Sequence, residues 1–197
     1  MTRSDELLDR LRADPQLAAL LDGFPLEFDL TRLDHVEPVR MASGLDLEAI
    51  AGTGSGGTFF LVGDAETERP VLYADSEGQA GLIAADLAEA LTLELVLPYW
   101  GDSLSSSAGG DLETMLRYAP DLERSAHDDD PDLAAARNEA ARALEFDPLP
   151  PLEAVVRKLH AAVSMTEPDY LLVFDDPDYG PQRYESLLGR TPPEASG

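Results

Sequence analysis

The chain has 197 residues and a formal net charge of −25, from 39 acidic and 14 basic side chains, far beyond the about 2–8 units that keep a small domain soluble. Leu, Val, Phe and Ile number 49 together, above the roughly 20 % of a chain below which charged sequences stay unfolded, so disorder is excluded and a packed core is expected. There is no cysteine, which removes disulfides and thiolate chemistry, and no apolar run nears the ~18 residues of a membrane span or marks the charged first residues as a signal peptide, so a cytoplasmic location is expected.

Residues 5–12 place Leu7, Leu8 and Leu11 on one helical face, with Ser4 as the N-cap. Asp14-Pro15 restarts a short helix that Gly23 closes. Residues 24–50 mix prolines with short apolar runs, and FDL and EPVRM read as short strands or loop. The glycine run at 52–57 is a loop. Residues 58–62 (TFFLV) and 71–75 (VLYAD) read as two strands, joined by a connection that suits an antiparallel hairpin. Residues 76–78 break the second.

From 81 to 97 the period changes. Ile83, Leu87, Leu91 and Leu95 recur every fourth residue and predict one helix, laid on the sheet and ended by Pro98. Residues 101–111 (GDSLSSSAGGD) read as a flexible linker. They divide an α+β domain over 1–104 from a mainly helical extension over 105–197, which packs on it as one globular unit. The extension holds a short helix at 111–118 behind Asp111, a helix at 132–146 stopped by Asp147-Pro148, and a helix at 152–163. In that last helix Leu152, Val155, Val156, Leu159 and Val163 share a face, and Pro168 ends it. A strand follows at 170–174, and the tail from Thr191 reads as frayed. The fold class expected is α+β: a small, mostly antiparallel sheet flanked by helices, with a helical C-terminal half.

The charge is not a tail. Acids outnumber bases 19 to 6 in residues 1–100 and 20 to 8 in residues 101–197. Nucleic acid and anionic membranes need a basic face, so both are excluded as direct partners. A basic protein is the partner that opposite fields favour. A bland reading stands beside this one. Thirteen of the 14 bases are Arg, with 26 Ala, 32 Leu and 2 Ile, a pattern that suits a G+C-rich coding bias with acidity as a habit of the lineage.

The chemical motifs are thin. Gly52, Gly54 and Gly57 fit G-x-G-x-x-G, but a strand follows where a phosphate site needs a helix N-terminus; the run reads as a tight turn feeding 58–62. Ser55 is not a nucleophile elbow, because Thr53 stands where a glycine is required. His35 sits in a polar loop, His127 in a charge run and His160 late in a helix, with no ligand or triad spacing among them. The acidic runs at 128–132 and 175–178 fail the EF-hand frame. No catalytic residue, metal or cofactor is therefore assigned. The segment Pro98-Tyr99-Trp100-Gly101 holds the only Trp, either closing the core or serving as a binding anchor.

Residues 50–101 carry a Gly-rich turn (Gly52, Gly54, Gly56, Gly57), a hydrophobic strand (58–62), and a second strand led by Pro70 (Val71-Leu72-Tyr73). An acidic-Gly segment (Asp75, Ser76, Glu77, Gly78) and an amphipathic helix with Leu87 and Leu91 follow. This layout resembles the SUKH superfamily, which includes bacterial immunity proteins. The resemblance implies an α+β domain that acts by binding, mostly to neutralise polymorphic toxins, many of them nucleases. The expectation is a non-catalytic acidic immunity-like protein that binds a basic partner, a cognate toxin. Asp75, Glu77 and Asp102, at strand and helix ends, and the aromatic pair Tyr99 and Trp100 are its expected contacts. The alternatives are a general protein-interaction or regulatory module and a carboxylate-dependent hydrolase whose pair of acids nothing marks.

Overall fold

The computed structural model describes residues 1–23, 26–105 and 110–189. Two helices open the chain, α1 (Arg3–Ala13) and α2 (Pro15–Ala19). Strand β1 (Val39–Met41) precedes an antiparallel run of β2 (Leu47–Gly52), β3 (Thr58–Val62), β4 (Val71–Ala74) and β5 (Gln79–Ala84). Five helices follow: α3 (Leu87–Val96), α4 (Trp100–Ser105), α5 (Leu112–Asp129), α6 (Leu133–Ala143) and α7 (Leu152–Ser164). Three strands close the described chain, β6 (Leu172–Asp176), β7 (Gly180–Arg183) and β8 (Glu185–Ser186). The α+β class is as expected.

The strands form two sheets. One has the order β2-β3-β4-β5-β8, antiparallel except for the parallel β5–β8 edge; the other has the order β1-β6-β7 and is antiparallel. The pairing of 58–62 with 71–75 is observed, in the register Phe59↔Tyr73 and Phe60↔Leu72. Alternation along β3 explains why TFFLV has no polar face. Phe59 and Leu61 join the helices in one buried cluster, while Phe60 and Val62 join Met41 of β1, Leu172 of β6 and Tyr184 in another. A strand covered on both faces reads as a continuous apolar run. The larger cluster runs from Leu7 to Leu187 and takes in residues on both sides of residue 104.

Several sequence expectations need correction. Thr2, not Ser4, caps α1, in a capping box with Asp5. Ser4 is buried one turn in, and its Oγ accepts from the backbone N–H of Leu87 at 3.0 Å, tying α1 to the start of α3. Gly23 does not close α2, whose C-cap is Leu20. The helix predicted from 81 is a strand up to Ala84, and the helix starts only at Leu87, where the Asp86 side chain accepts from Glu89 N–H. Both faces of β5 are buried, and the apolar run that results mimics helical spacing. Residues 47–52 form strand β2, so Gly52 belongs to a strand rather than to the loop expected over 52–57. Residues 101–105 of the expected linker are helical in α4, and 106–109 lie outside the described residues. Helix α5 continues through Pro120 to Asp129, because Met115, Ala119 and Ala126 keep one buried face across it. The tail predicted as frayed lies outside the described residues. Among the described residues no helix is long and apolar enough to cross a membrane.

Candidate functional site: an acidic cavity walled by aromatic rings

The β2–β3 turn, the β4–β5 turn, the end of α3 and the start of α4 surround a cavity of about 390 Å³. Each wall has a local cause. Gly56 turns the chain with φ +93°, and the Thr53 hydroxyl accepts from Gly57 N–H at 2.9 Å, which closes the β2–β3 turn. A side chain at Gly57 would meet the Tyr73 hydroxyl, with its Cβ at 1.9 Å from that oxygen. Space, rather than backbone angle, demands glycine there, and it lets Tyr73 lie against the turn. Across β4, Asp75 Oδ1 accepts from the N–H groups of Glu77 and Gln79 at 2.9 and 2.8 Å, a side-chain-closed turn into β5. The Ser76 hydroxyl donates to Ser55 O at 3.1 Å and joins the two turns.

Four of the five expected contact residues line this cavity: Asp75, Tyr99, Trp100 and Asp102. Glu77 does not line it; it is exposed in the β4–β5 turn. Tyr99 donates its hydroxyl to Asp129 Oδ2 at 2.9 Å, fastening α4 to the end of α5. Trp100 is 6 % exposed, and its ring meets Tyr73 edge to face at 5.0 Å. It closes the core, as one of the two sequence readings has it, and also walls the cavity.

The residue that sequence reasoning missed is Glu94. It lies in α3 within an apolar run, LTLELVLP, and is 2 % exposed. The indole N–H of Trp100 donates to its Oε1 at 2.6 Å. Its Oε2 accepts no hydrogen bond from any described residue, and the side chain lines the cavity. Burial is the main force on this carboxyl and pushes it up to about 8; the Trp100 bond opposes the rise and the charge of Glu27 adds to it. Glu94 is thus held mostly neutral at pH 7. Burial also pushes the Tyr73 and Tyr99 hydroxyls up to about 12. Glu27 supplies a fourth carboxyl to the lining, and among the described residues no Arg, Lys or His lines it. One acid within the apolar run 91–98 was the signal available in the sequence.

Two other polar places differ in character. A second cavity of about 390 Å³ lies between α3, α7 and the segment after α6. Its charges are mixed: Lys158 pairs with Glu89 at 3.6 Å, and Arg3 and Asp86 also line it. Behind β3, His35 bridges the two sheets. Tyr184 donates to Glu37 Oε1 at 2.8 Å and lies 2.8 Å from His35 Nε2, while His35 Nδ1 lies 3.0 Å from the Thr58 hydroxyl. With the Tyr184 proton directed at Glu37, the Tyr184 oxygen accepts from His35 Nε2. Burial lowers the His35 pKa, against the opposing charges of Glu37 and Asp75. Among the described residues no group of three or more His, Asp or Glu is placed to hold a metal ion.

Comparison with known proteins returns no match to a family model, a curated protein or a solved structure.

Proposed function

We propose that the chain is a non-catalytic acidic binding protein that captures a basic protein partner, in the manner of the immunity proteins its 50–101 segment resembles, the partner being a toxin. The observation that carries the reading is the cavity lining. Asp75 and Asp102, remote from the glycine turn and from each other in sequence, come together with Tyr99 and Trp100, and the charged groups around them are all acidic. A rim of like charge steers an oppositely charged surface into contact, whereas short-range contacts set how long it stays.

The test is a stopped-flow series against a basic nuclease-toxin domain that co-purifies with the chain. The association rate should fall steeply as salt rises, since exposed charges are screened beyond ~8 Å at physiological ionic strength. Dissociation should change far less. Neutralising Asp75 and Asp102 together should slow association and leave α3 folded. An association rate that stays flat from low to high salt would reduce the net charge to a habit of the lineage and remove this support.

A second reading draws on Glu94. A carboxyl whose pKa is raised by burial, in a cavity that other carboxyls also line, is an arrangement that can supply a general acid, so a carboxylate-dependent hydrolase is the competing class. Turnover of a glycoside or ester panel, lost in Glu94→Gln and in Asp75→Asn, would establish it. Full toxin capture by both variants with no turnover in the parent chain would dismiss it.

A further inference from the structure

The cavity has a mouth and a floor of different chemistry. Ser55, Gly101, Asp102 and Ser105 at the mouth are exposed, whereas Phe59, Glu94, Trp100 and Leu104 behind them are buried. Its volume lies near the lower end of the about 300–1,000 Å³ typical of small-ligand sites, enough for one long side chain and not for an extended molecule. A buried carboxyl that lines the cavity and has one hydrogen bond, from Trp100, becomes a charged acceptor with capacity to spare once it loses its proton. A neutral ligand would satisfy that acceptor but leave the field of Glu27, Asp75 and Asp102 unanswered. An anion is repelled by it. An organic cation answers both, and rings on the walls favour one whose charge is spread over a plane.

We propose that this cavity seats a guanidinium group, with Glu94 as its buried counter-charge and the rings of Tyr73, Tyr99 and Trp100 as its walls. The inference rests on the reading of the chain as a binder of a basic partner, whose arginine supplies the group; a free guanidino compound offers the same chemistry. Binding and protonation are then linked. The cation favours the carboxylate form of Glu94, so at pH 7 its arrival expels a proton. The titratable groups facing Glu94 across the cavity are Glu27, Asp75 and Asp102, which add negative charge, and Tyr73 and Tyr99, whose hydroxyls stay protonated to about 12. Affinity should therefore rise as pH goes from about 6 to about 8 and level off above it.

The only Trp of the chain lies in the wall, so its emission reports occupancy. The full chain is titrated with N-acetyl-arginine methylamide, with agmatine, and with N-acetyl-citrulline methylamide, the uncharged isostere. Calorimetry in two buffers of different ionisation enthalpy counts protons. The arginine probe should shift the emission and release a proton at pH 7, and the citrulline probe should do neither. Glu94→Gln keeps the acceptor for Trp100 and should weaken the arginine probe by at least about tenfold, the loss expected when a buried charge pair loses a partner. Asp102→Asn, at the exposed mouth, should weaken it by a smaller factor, and Glu77→Gln, outside the cavity, should leave it unchanged. Saturation by agmatine alone would assign the site to a free compound. Equal responses to arginine and citrulline, or undiminished binding by a folded Glu94→Gln, would overturn the proposal. A basic protein that still binds Glu94→Gln at full strength would overturn the pocket and leave the acidic-binder reading standing. An arginine probe that binds while no basic protein does would have the opposite effect.

Discussion

Glu94 ties the chemistry of the cavity to the stability of the fold. Its carboxyl sits at about 8 in the folded chain against an ordinary 4.5. Between those values the folded state holds more protons than the unfolded one, so this component of stability is complete below about 4.5 and is lost as pH rises through about 8. Glu94→Gln cannot ionise and keeps its bond to Trp100. Urea unfolding at both ends of that window should show the variant gaining on the parent as pH rises, by at least about 1 kcal/mol. A difference that stays constant with pH would mean the carboxyl is not held neutral. The sequence carried part of this site in the open. Tyr99, Trp100, Asp75 and Asp102 stood out because aromatic and acidic residues at element ends are exposed to view in a linear reading. Glu94 and Tyr73 did not, because each sits in an apolar run whose other members serve the core. Only the packing of α3 against the start of α4 reveals that one helical position opens on a cavity.

At the scale of elements, what was legible depended on whether one period ruled a segment. Helix α7 repeats a single apolar face and was placed to within a residue; strands β3 and β4 are short apolar runs between clear breakers. The stretch from 79 to 97 defeated the same logic, because a strand buried on both faces and the helix after it share one unbroken apolar pattern, and only Asp86 marks the join. Strand β7, Gly-Pro-Gln-Arg, holds two breakers and no apolar residue; its partner β6 imposes the conformation by antiparallel pairing. Moving the start of the helix leaves its anchoring residue unchanged. Leu87, fully buried at the first turn of α3, still packs against the larger core, so Leu87→Ala should cost about 2–5 kcal/mol. A loss below half of about 1 kcal/mol in denaturant unfolding would show that this turn is free to collapse.

For the molecule as a whole, one ion cluster around a buried arginine shows how distant segments are tied. Arg69, 4 % exposed, reaches Asp5 of α1 and Glu48 of β2, both at 2.8 Å. The Thr2 backbone N–H is the first cause holding the Asp5 carboxyl below its ordinary value, with Arg69 adding to it. The cap of the first helix, the turn before β4 and the edge of the larger sheet therefore share one charge network. Nothing in the spacing of these three residues announced it, since their separations are set by the tertiary fold. The same is true of the second sheet. The apolar character of β3 on both faces required a second cover, but its source, β1 with β6, lies far apart in the chain: a strand at 170–174 is legible in its apolar run, whereas β1 reads equally as short strand or loop and nothing in the spacing pairs the two.

That separation has a kinetic consequence. The four strands β2 to β5 are joined by short turns, so Phe60 and Leu72 pair across 12 residues, whereas Val39 and Phe174 pair across 135. Closing the longer loop costs about 2 kcal/mol more in chain entropy, which places the meander early and the β1–β6 pair late on the folding route. In stopped-flow refolding, Leu72→Ala should slow the folding limb of the chevron. Met41→Ala, on the far side of the same apolar cluster, should leave that limb nearly unmoved and speed unfolding instead. The smaller sheet would then be the first part to detach under load, so that a protease meeting the chain under mild stress encounters the meander still paired on a molecule that has already shed its smaller sheet.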